Sequence, residues 1–471
     1  MRTRNYLING GVLPEVLLSF RSMPYGDEHA HYDPYLGLRL YGPYRPTKVK
    51  IIHLISKEWI DQGILTQNVA EYFEQVLKNH LRHLFERDIR EVELKRVNIN
   101  EITSLISEEQ EKVREKEEEL SEAIDEENCV VLTLIPPQLR ATRRGSLLYS
   151  KLKILGLKNK KRKFVVQCYS QHVLNALDQG EEGKFVLSNL ALNIFAKSGG
   201  IPWILSSSYK LDYNIVFGVV WSIKRVTSKS TGPTIKYYGV THIFDDRGAW
   251  KNFVTFACRP RAQDLLSSIV GSLREIVSDS KFAENESKIL LLLRERPRRE
   301  VMERFLKTLK TNIDTSRVDV VMVSEGAPLR VYNPLVDNYL PPRGLFFELS
   351  DDLAYMVTTG IYKGKYVGIG TPRTIRIELL HTTEKKKVAL RGAVKACYAL
   401  TAMNWRSLFG SLRLPTPIHY AKLMAQLLRI CLEDDINEAF DFELKKLKIT
   451  DVEVEWDLLK PKAFRDRPWF I

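Results

Sequence analysis

The chain has 471 residues, 44% of them hydrophobic and 10% aromatic, which is enough apolar material for two or three domains with real cores and excludes a disordered chain. Its 71 Lys+Arg against 58 Asp+Glu leave a formal charge of +13 and a pI near 9.3. Such an excess suits a polyanionic partner, either nucleic acid or an anionic membrane surface, and charge alone leaves a soluble basic enzyme equally open.

Other functional classes fall away on local grounds. Cys129, Cys168, Cys258, Cys397 and Cys431 lie far apart, with no CxxC pair and no His at zinc-ligand spacing, so buried thiols in a reducing compartment are expected. The opening MRTRNYLINGGVLPEVLLSF is broken by Pro14 and Glu15 and makes a poor signal peptide. Apolar runs such as ILLLL and IVFGVVW have strand length, far below the roughly 20 residues of a membrane helix. A soluble, cytoplasmic protein is expected, and abundant Lys and Glu with few Gln hint at a thermophile.

In chain order, KVKIIHLI (48–55) predicts a buried strand and residues 59–85 a helix of period 3.6. An acidic helix follows (108–128), then the strand CVVLTLIP (129–136). Residues 138–170 carry an uninterrupted basic run, Arg140 to Lys163, ending in the strand FVVQCYS. Helix 185–197 and strand IPWIL (201–205) complete a βαβ series, which implies a parallel sheet with helices on both faces. From residue 215 the texture changes. Three long strands, 215–225, 234–244 and 251–259, read as an antiparallel meander. Helix 262–278, strand 288–295, helix 297–310 and strand 319–325 come next, then hairpin strands around FFELS, YMVTTG and TIRIELL and a helix at 415–431. Three antiparallel strands followed by helix-alternating strands is the order of a ribonuclease-H-like domain.

In LSNLALNIFAKSGGIPWIL, Asn189, Asn193 and Lys197 are four apart and line one helical face, ending at Gly199 and Gly200. Alone, this reads as a solvent-facing stripe with a lysine near the last carbonyls. With Tyr149 and Lys153 of YSKLK and Gln167 of VVQCYS, it becomes a set: an aromatic ring for stacking, a phenol, an amide and two ammonium groups. That set suits a terminal phosphate and its first nucleotide.

YSKLK, VVQCYSQ and LSNLALNIFAKSGGIPWIL together resemble the MID domain of Argonaute proteins, and PRGLFFEL, YMVTTG, GTPRTIRIEL, LTAMNW and PTPIHYAKLMAQLL resemble successive PIWI segments. The resemblance implies an α/β chain, a short prokaryotic, archaeal form with MID and PIWI only. Its parts are an N-terminal segment (1–29), a Rossmann-like MID domain (30–208) and a ribonuclease-H-like PIWI domain (209–471). It further implies that Tyr149, Lys153, Gln167 and Lys197 hold the 5′ phosphate of a guide strand. In some relatives the terminal carboxylate and the pocket glutamine also hold a divalent cation, which here assigns Gln167 and Ile471 to Mg2+ or Mn2+ on the guide phosphate. Plain packing of Trp469 and Phe470 is the alternative for that end.

PIWI catalysis uses two metal ions on acidic residues. The matching positions here are Val220, which cannot ligate magnesium, and Lys422, whose ammonium repels it; Glu295 is a possible match for a third. No catalytic residues are therefore expected. The alternative is an active guided endonuclease with a shifted carboxylate set drawn from Asp212, Asp245 and Asp246. The resemblance implies an RNA guide, a complementary DNA target, and a separate protein supplying an N-domain-like (APAZ) segment and an effector in defence against plasmids or viruses. The basic run with Lys210, Lys224, Arg225 and Lys229 is expected to track phosphates, and the acidic helix and the first 30 residues to dock the partner.

Overall fold

The computed structural model of the chain describes all residues except 1–8, 23–27, 86–91, 160–162, 229–231, 259–286, 298, 300–301, 304–305, 308–314, 327–328, 336–338, 360, 363–364, 367–371, 409–411, 450–451 and 465–466. The expected helix 262–278, most of helix 297–310 and Lys229 lie outside the described residues. The first strands are β1 (Asn9–Val12), β2 (Leu18–Ser22) and β3 (Glu28–His31), followed by helix α1 (Pro34–Tyr41). An alternating stretch runs β4 (Val49–Ser56), α2 (Lys57–Asp61), α3 (Gln67–Phe85), β5 (Val92–Ile99), α4 (Gln110–Ala123), β6 (Cys129–Ile135), α5 (Arg143–Lys158) and β7 (Phe164–Ser170). Helices α6 (Gln171–Asn175) and α7 (Gly180–Lys197) and strand β8 (Ile204–Leu205) close it.

Strands β4 and β6 are apolar and buried along nearly their whole length, as a strand covered on both faces must be. They form the centre of a four-stranded, all-parallel sheet of order β5-β4-β6-β7. The edge strand β5 (VELKRVNI) alternates apolar and charged residues, which hid it from a reading based on apolar runs. Inside this sheet His53 is fully buried, with Nδ1 2.6 Å from Glu74 Oε1 and Nε2 2.8 Å from the Tyr169 hydroxyl. Arg96 donates two bonds to the same Glu74 carboxylate, at 2.9 and 2.8 Å. Burial raises the Glu74 pKa, but the bonds from His53 and Arg96 prevail and hold it down to about 2.

Two expectations need correction here. Residues 59–85 are not one helix: Gly63 takes φ +68 and stops the first turn, and Thr66 Oγ1 accepts from Val69 N to begin the next helix. The strand IPWIL does not extend the parallel sheet. Its β8 pairs antiparallel with β2 in a small sheet of order β3-β2-β8. The acidic helix and helix 185–197 exist with shifted ends, as α4 and α7.

The second stretch contains β9 (Ile215–Ser228), β10 (Gly232–Asp245), β11 (Trp250–Cys258), β12 (Ser287–Leu293) and β13 (Thr315–Ser324). Strands β14 (Leu345–Ser350), β15 (Leu353–Met356), β16 (Ile361–Tyr362), β17 (Lys365–Tyr366) and β18 (Ile375–His381) follow. Helices α8 (Lys386–Leu400), α9 (Thr416–Ile430) and α10 (Glu433–Ala439) precede the hairpin β19 (Phe440–Ile449) and β20 (Val452–Pro461). Eleven of the strands make one sheet, β1-β14-β15-β18-β13-β12-β9-β10-β11-β20-β19. Within it β11-β10-β9 are antiparallel, while β12 and β13 run parallel to β9. This is the expected ribonuclease-H-like order. The described N-terminal residues are shared out: β1 caps the edge of the large sheet on β14, and β2 joins the small one.

Helix α9 crosses β9 closely because Gly218 has no side chain; a Cβ there would run into the backbone of Pro417. Ser222 Oγ on β9 donates to Ala425 O on α9 at 2.8 Å, fixing the crossing. Among the described residues no helix is long and apolar enough to cross a membrane.

Candidate functional site

Helix α5 starts at Thr142, whose hydroxyl accepts from Gly145 N at 2.9 Å. One face of it carries Tyr149 and Lys153, and the Lys153 ammonium lies 5.4 Å from the Tyr149 ring centroid. Helix α7 brings Lys197 in from the other side. Both lysines are buried, at 3% and 0% exposure. Lys153 Nζ donates to an oxygen of the Ile471 carboxylate at 2.8 Å, and Lys197 Nζ donates to the same oxygen. Lys197 also donates to Gln167 Oε1 at 2.6 Å and to Val166 O at 3.4 Å. The amide of Gln167 is oriented by its own Nε2, which donates to Cys168 O at 2.8 Å. Burial first, and then the neighbouring Lys153, push the Lys197 pKa well below the ordinary lysine value.

The four residues singled out from sequence thus meet, around an oxygen that the final residues deliver. Trp469, Phe470 and Ile471 are all buried, and the Phe470 ring lies 4.7 Å from that of His242. A cavity of about 450 Å3 opens on the outer side, lined by Arg140, Tyr149, Gln167, Ser170 and Asn193 among others, while the two lysines sit behind its wall. Gln167 Oε1 and the Ile471 oxygen converge on Lys197. A divalent cation on this oxygen pair fits only once a phosphate adds negative charge, because Lys197 already supplies the positive charge there.

The rest of the polar stripe on α7 has a different task. Asn189 Oδ1 accepts from Leu408 N at 2.8 Å, and Asn193 donates to Arg406 O at 3.1 Å. Trp203 Nε1 donates to Ala402 O at 3.1 Å, and Trp405 Nε1 to Trp203 O at 3.2 Å. These bonds seal the seam between the two sheet systems.

Several basic residues expected to track phosphates are otherwise engaged. Lys151 is buried and Lys158 half-buried, and they pair with Asp435 at 3.5 and 3.0 Å; Lys158 also pairs with Glu117 of the acidic helix at 2.7 Å. Lys224 donates inward to Cys431 O, and Lys210 pairs with Asp246 at 2.9 Å. Arg140, Arg143, Arg144, Lys163 and Arg225 are exposed.

Around the positions matched to catalysis, Val220 is buried at 4%. Lys422 Nζ lies 3.5 Å from Glu325 Oε2, just past the end of β13. Arg294, just past the end of β12, approaches the same carboxylate at 4.0 Å, and Arg413 approaches it at 3.8 Å. Arg294 takes the inward place, while its neighbour Glu295 is exposed. Sequence reasoning missed Arg294, Arg413 and Glu325 because none belongs to a recognisable motif. The aspartates of the alternative set sit elsewhere. Asp245 pairs across the ladder with Ile215, whereas Val220 lies five residues along β9, roughly 17 Å away at the usual strand rise. Asp245 accepts from Arg247 N and Ala249 N and pairs with Lys251, closing a turn. Among the described residues no three His, Cys, Asp or Glu side chains converge as a metal site would require.

A ribonuclease-H-like mixed sheet following a parallel α/β sheet whose helices bring two buried lysines together is the architecture of the Piwi class of proteins. The model of the Piwi domain matches residues 146–433, and the chain belongs to that family. It is 24% identical over 259 residues to the protein argonaute of Aquifex aeolicus, an alignment covering 55% of this chain and 34% of that protein. A crystal structure of the A. aeolicus Argonaute matches 91% of this chain and 55% of its own length, with 18% identity and TM-score 0.59. A structure of the Aquifex protein with externally bound siRNA matches 99% and 56%, with 17% identity and TM-score 0.60. The chain thus spans little more than half of these solved relatives.

Proposed function

We propose that the chain is a short Argonaute whose residues 30–208 act as a MID domain and 209–471 as a PIWI domain, and that it binds a guide strand by its 5′ phosphate and recognises complementary nucleic acid without cutting it. One observation carries the reading. Two buried ammonium groups, Lys153 and Lys197, converge on one oxygen of the Ile471 carboxylate beside Gln167 and Tyr149, an arrangement that suits an oxyanion and that a phosphate could take over. A phosphate there would accept from both lysines, with its nucleotide against Tyr149. Gln167 and Ile471 would be the residues to hold Mg2+ or Mn2+ bound with the phosphate, and the cation would offset the negative charge of the phosphate and the terminal carboxylate.

The absence of cutting is supported by Val220, Lys422 and Arg294, which place an apolar group and two cations where carboxylates would have to hold metal. Without cleavage, the output passes to a separate effector protein on target recognition, in defence against plasmids or viruses. The guide is RNA and the target DNA in this reading.

The test compares oligonucleotides that differ only in a 5′ phosphate or 5′ hydroxyl, on the full chain and on Lys153→Ala plus Lys197→Ala. A preference for the phosphate that the double variant loses is the expected result. Equal affinity for both ends would leave only an unguided nucleic-acid-binding protein. Guide-loaded protein incubated with labelled target and Mn2+ is expected to leave the target intact; a cut at a fixed guide position would establish a shifted active site.

A further inference from the structure

Strands β12 and β13 run parallel beside β9, and the chain leaves both at the same edge of the sheet. Carboxyl edges of parallel strands are where open α/β sheets place their ligands. At this edge three cations, Arg294, Arg413 and Lys422, share the single carboxylate of Glu325, and none sits closer to it than 3.5 Å. Their side chains are about one-quarter to one-third exposed, so they open to solvent on one side. The Arg413 guanidinium is distinctive. Its Nε and Nη2 are buried and have no hydrogen-bond partner among the described residues, although a guanidinium carries five donors in a planar fork. Burial lowers the Arg413 pKa, with exposed Arg373 and Arg330 adding to the local positive field. His419, one turn before Lys422 on α9, is driven to about 4 by burial and by Arg406 and Lys422, so at neutral pH it adds no charge.

We propose that this edge is a phosphodiester clamp, in which Arg413, Arg294 and Lys422 hold a backbone phosphate of the bound nucleic acid with side-chain cations instead of metal ions. Rigid elements deliver two of the three groups, and Arg413 lies in the bend just before α9. Lys422 stands on a helix fixed across β9, and Arg294 directly follows a core strand. The Arg413 Nη1, held only loosely at 3.8 Å from Glu325, can turn to a phosphodiester oxygen, and the buried rest of the guanidinium keeps its charge in place. Further arginines nearby, Arg296 and Arg376 on Glu378 as well as Arg330 and Arg373, make a row of charges instead of a single pocket. A row suits a polymer of regularly spaced phosphates. Contacts of this type position a strand without reading its sequence. Glu325 acts as the placeholder, an internal anion that keeps the cations together until the strand arrives.

This inference rests on the reading of the chain as a guided binder but fails separately from it. Labelled target strand is titrated into guide-loaded full-length protein over a series of salt concentrations, and in a second arm a plain duplex is titrated into unloaded protein. Arg413→Gln and Lys422→Gln are each expected to weaken binding in both arms by roughly tenfold, equally for all sequences, and to lower the salt slope by about one. Glu325→Gln is expected to strengthen binding, a direction that misfolding cannot imitate. Unchanged affinity and slope in the arginine and lysine variants, or weakening by Glu325→Gln, would overturn the clamp. If the 5′ phosphate proves irrelevant while the duplex arm still responds, the clamp stands and the guided reading falls.

Discussion

Replacing Lys197 by methionine tests the centre of the proposed site, because it removes a charge and keeps most of the volume. In the structure the ammonium is wholly buried and donates to Gln167 Oε1, Val166 O and the Ile471 oxygen. Lys153 reaches the same oxygen, so the two like charges lie within about 5 Å, where repulsion amounts to ~3 kcal/mol at an effective dielectric of 20. An entering phosphate relieves that repulsion and accepts a charge-assisted bond worth about 1.5–3 kcal/mol net. Loss of Lys197 should therefore reduce the preference for a 5′-phosphorylated over a 5′-hydroxyl strand by roughly 10- to 150-fold, at 1.4 kcal/mol per factor of ten.

Fluorescence anisotropy with paired oligonucleotides at fixed salt measures that ratio directly. Affinity for the hydroxyl strand should hardly move. If both affinities fall in proportion, or the ratio stays at the wild-type value, the lysine serves packing and the assignment of the pocket is wrong. The pH dependence gives an internal control. Lys197 is depressed in the folded chain, so below its unfolded value of about 10.5 the unfolded chain holds more protons, and stability without guide rises with pH across that window. Phosphate preference should fall over the same window, since the neutral amine no longer attracts the anion. Lys197→Met should flatten both trends.

Other predictions follow from buried groups outside the pocket. His242 accepts from Trp250 Nε1 at 3.0 Å and leaves its own Nε2 buried without a partner, and burial drives it to about 3. Its folded pKa lies below the unfolded value of about 6.5, so acid unfolding should cost stability by about 1.4 kcal/mol per pH unit from 6.5 down to 3; chemical denaturation of His242→Phe should show a shallower slope. Asp435→Ala strips buried Lys151 and half-buried Lys158 of their carboxylate and should destabilise the fold by about 3–5 kcal/mol, read as a lowered unfolding midpoint; Asp435→Asn losing as much stability would support the charge as the cause. Gly218→Ala should cost about 1–3 kcal/mol or more by forcing α9 off β9, detectable as a drop in Tm, and no loss would mean that the helix can slide.

Legibility in the sequence followed the physics of each signal. Continuous apolar runs such as VKIIHLIS and CVVLTLI can only be strands buried on both faces, so the two sheet systems and the meander were readable. Edge strand β5 was lost because half of its residues face water, and β8 was misplaced because a two-residue pairing has no periodicity of its own. The pocket residues were readable because Tyr149 and Lys153 share a helical face and Lys197 ends another. Their common focus on Ile471 joins residues 318 positions apart, a distance that no local pattern encodes. The basic run misled for a related reason. Lys151 and Lys158 look like neighbours of Arg143 and Arg144 in sequence, but the helix turns them inward to Asp435, whose matching charge lies far along the chain.

The two cationic sites differ in how they hold their charge, and the difference bears on the order of events. At Lys153 and Lys197 the cations are fully buried and already have oxygens to donate to, so an incoming phosphate must exchange with the Ile471 oxygen and the tail must yield. At Arg413 and its neighbouring cations the side chains stay partly exposed and share only the loosely held Glu325 carboxylate, so a strand need displace no more than that one side chain. Exchange of a buried partner is slow and selective; docking on a half-open row is fast and steered by the overall +13 charge. On the proposed reading, the buried site would load a guide once and tightly while the half-open row met targets repeatedly, a division of labour suited to a sensor without a cutting step.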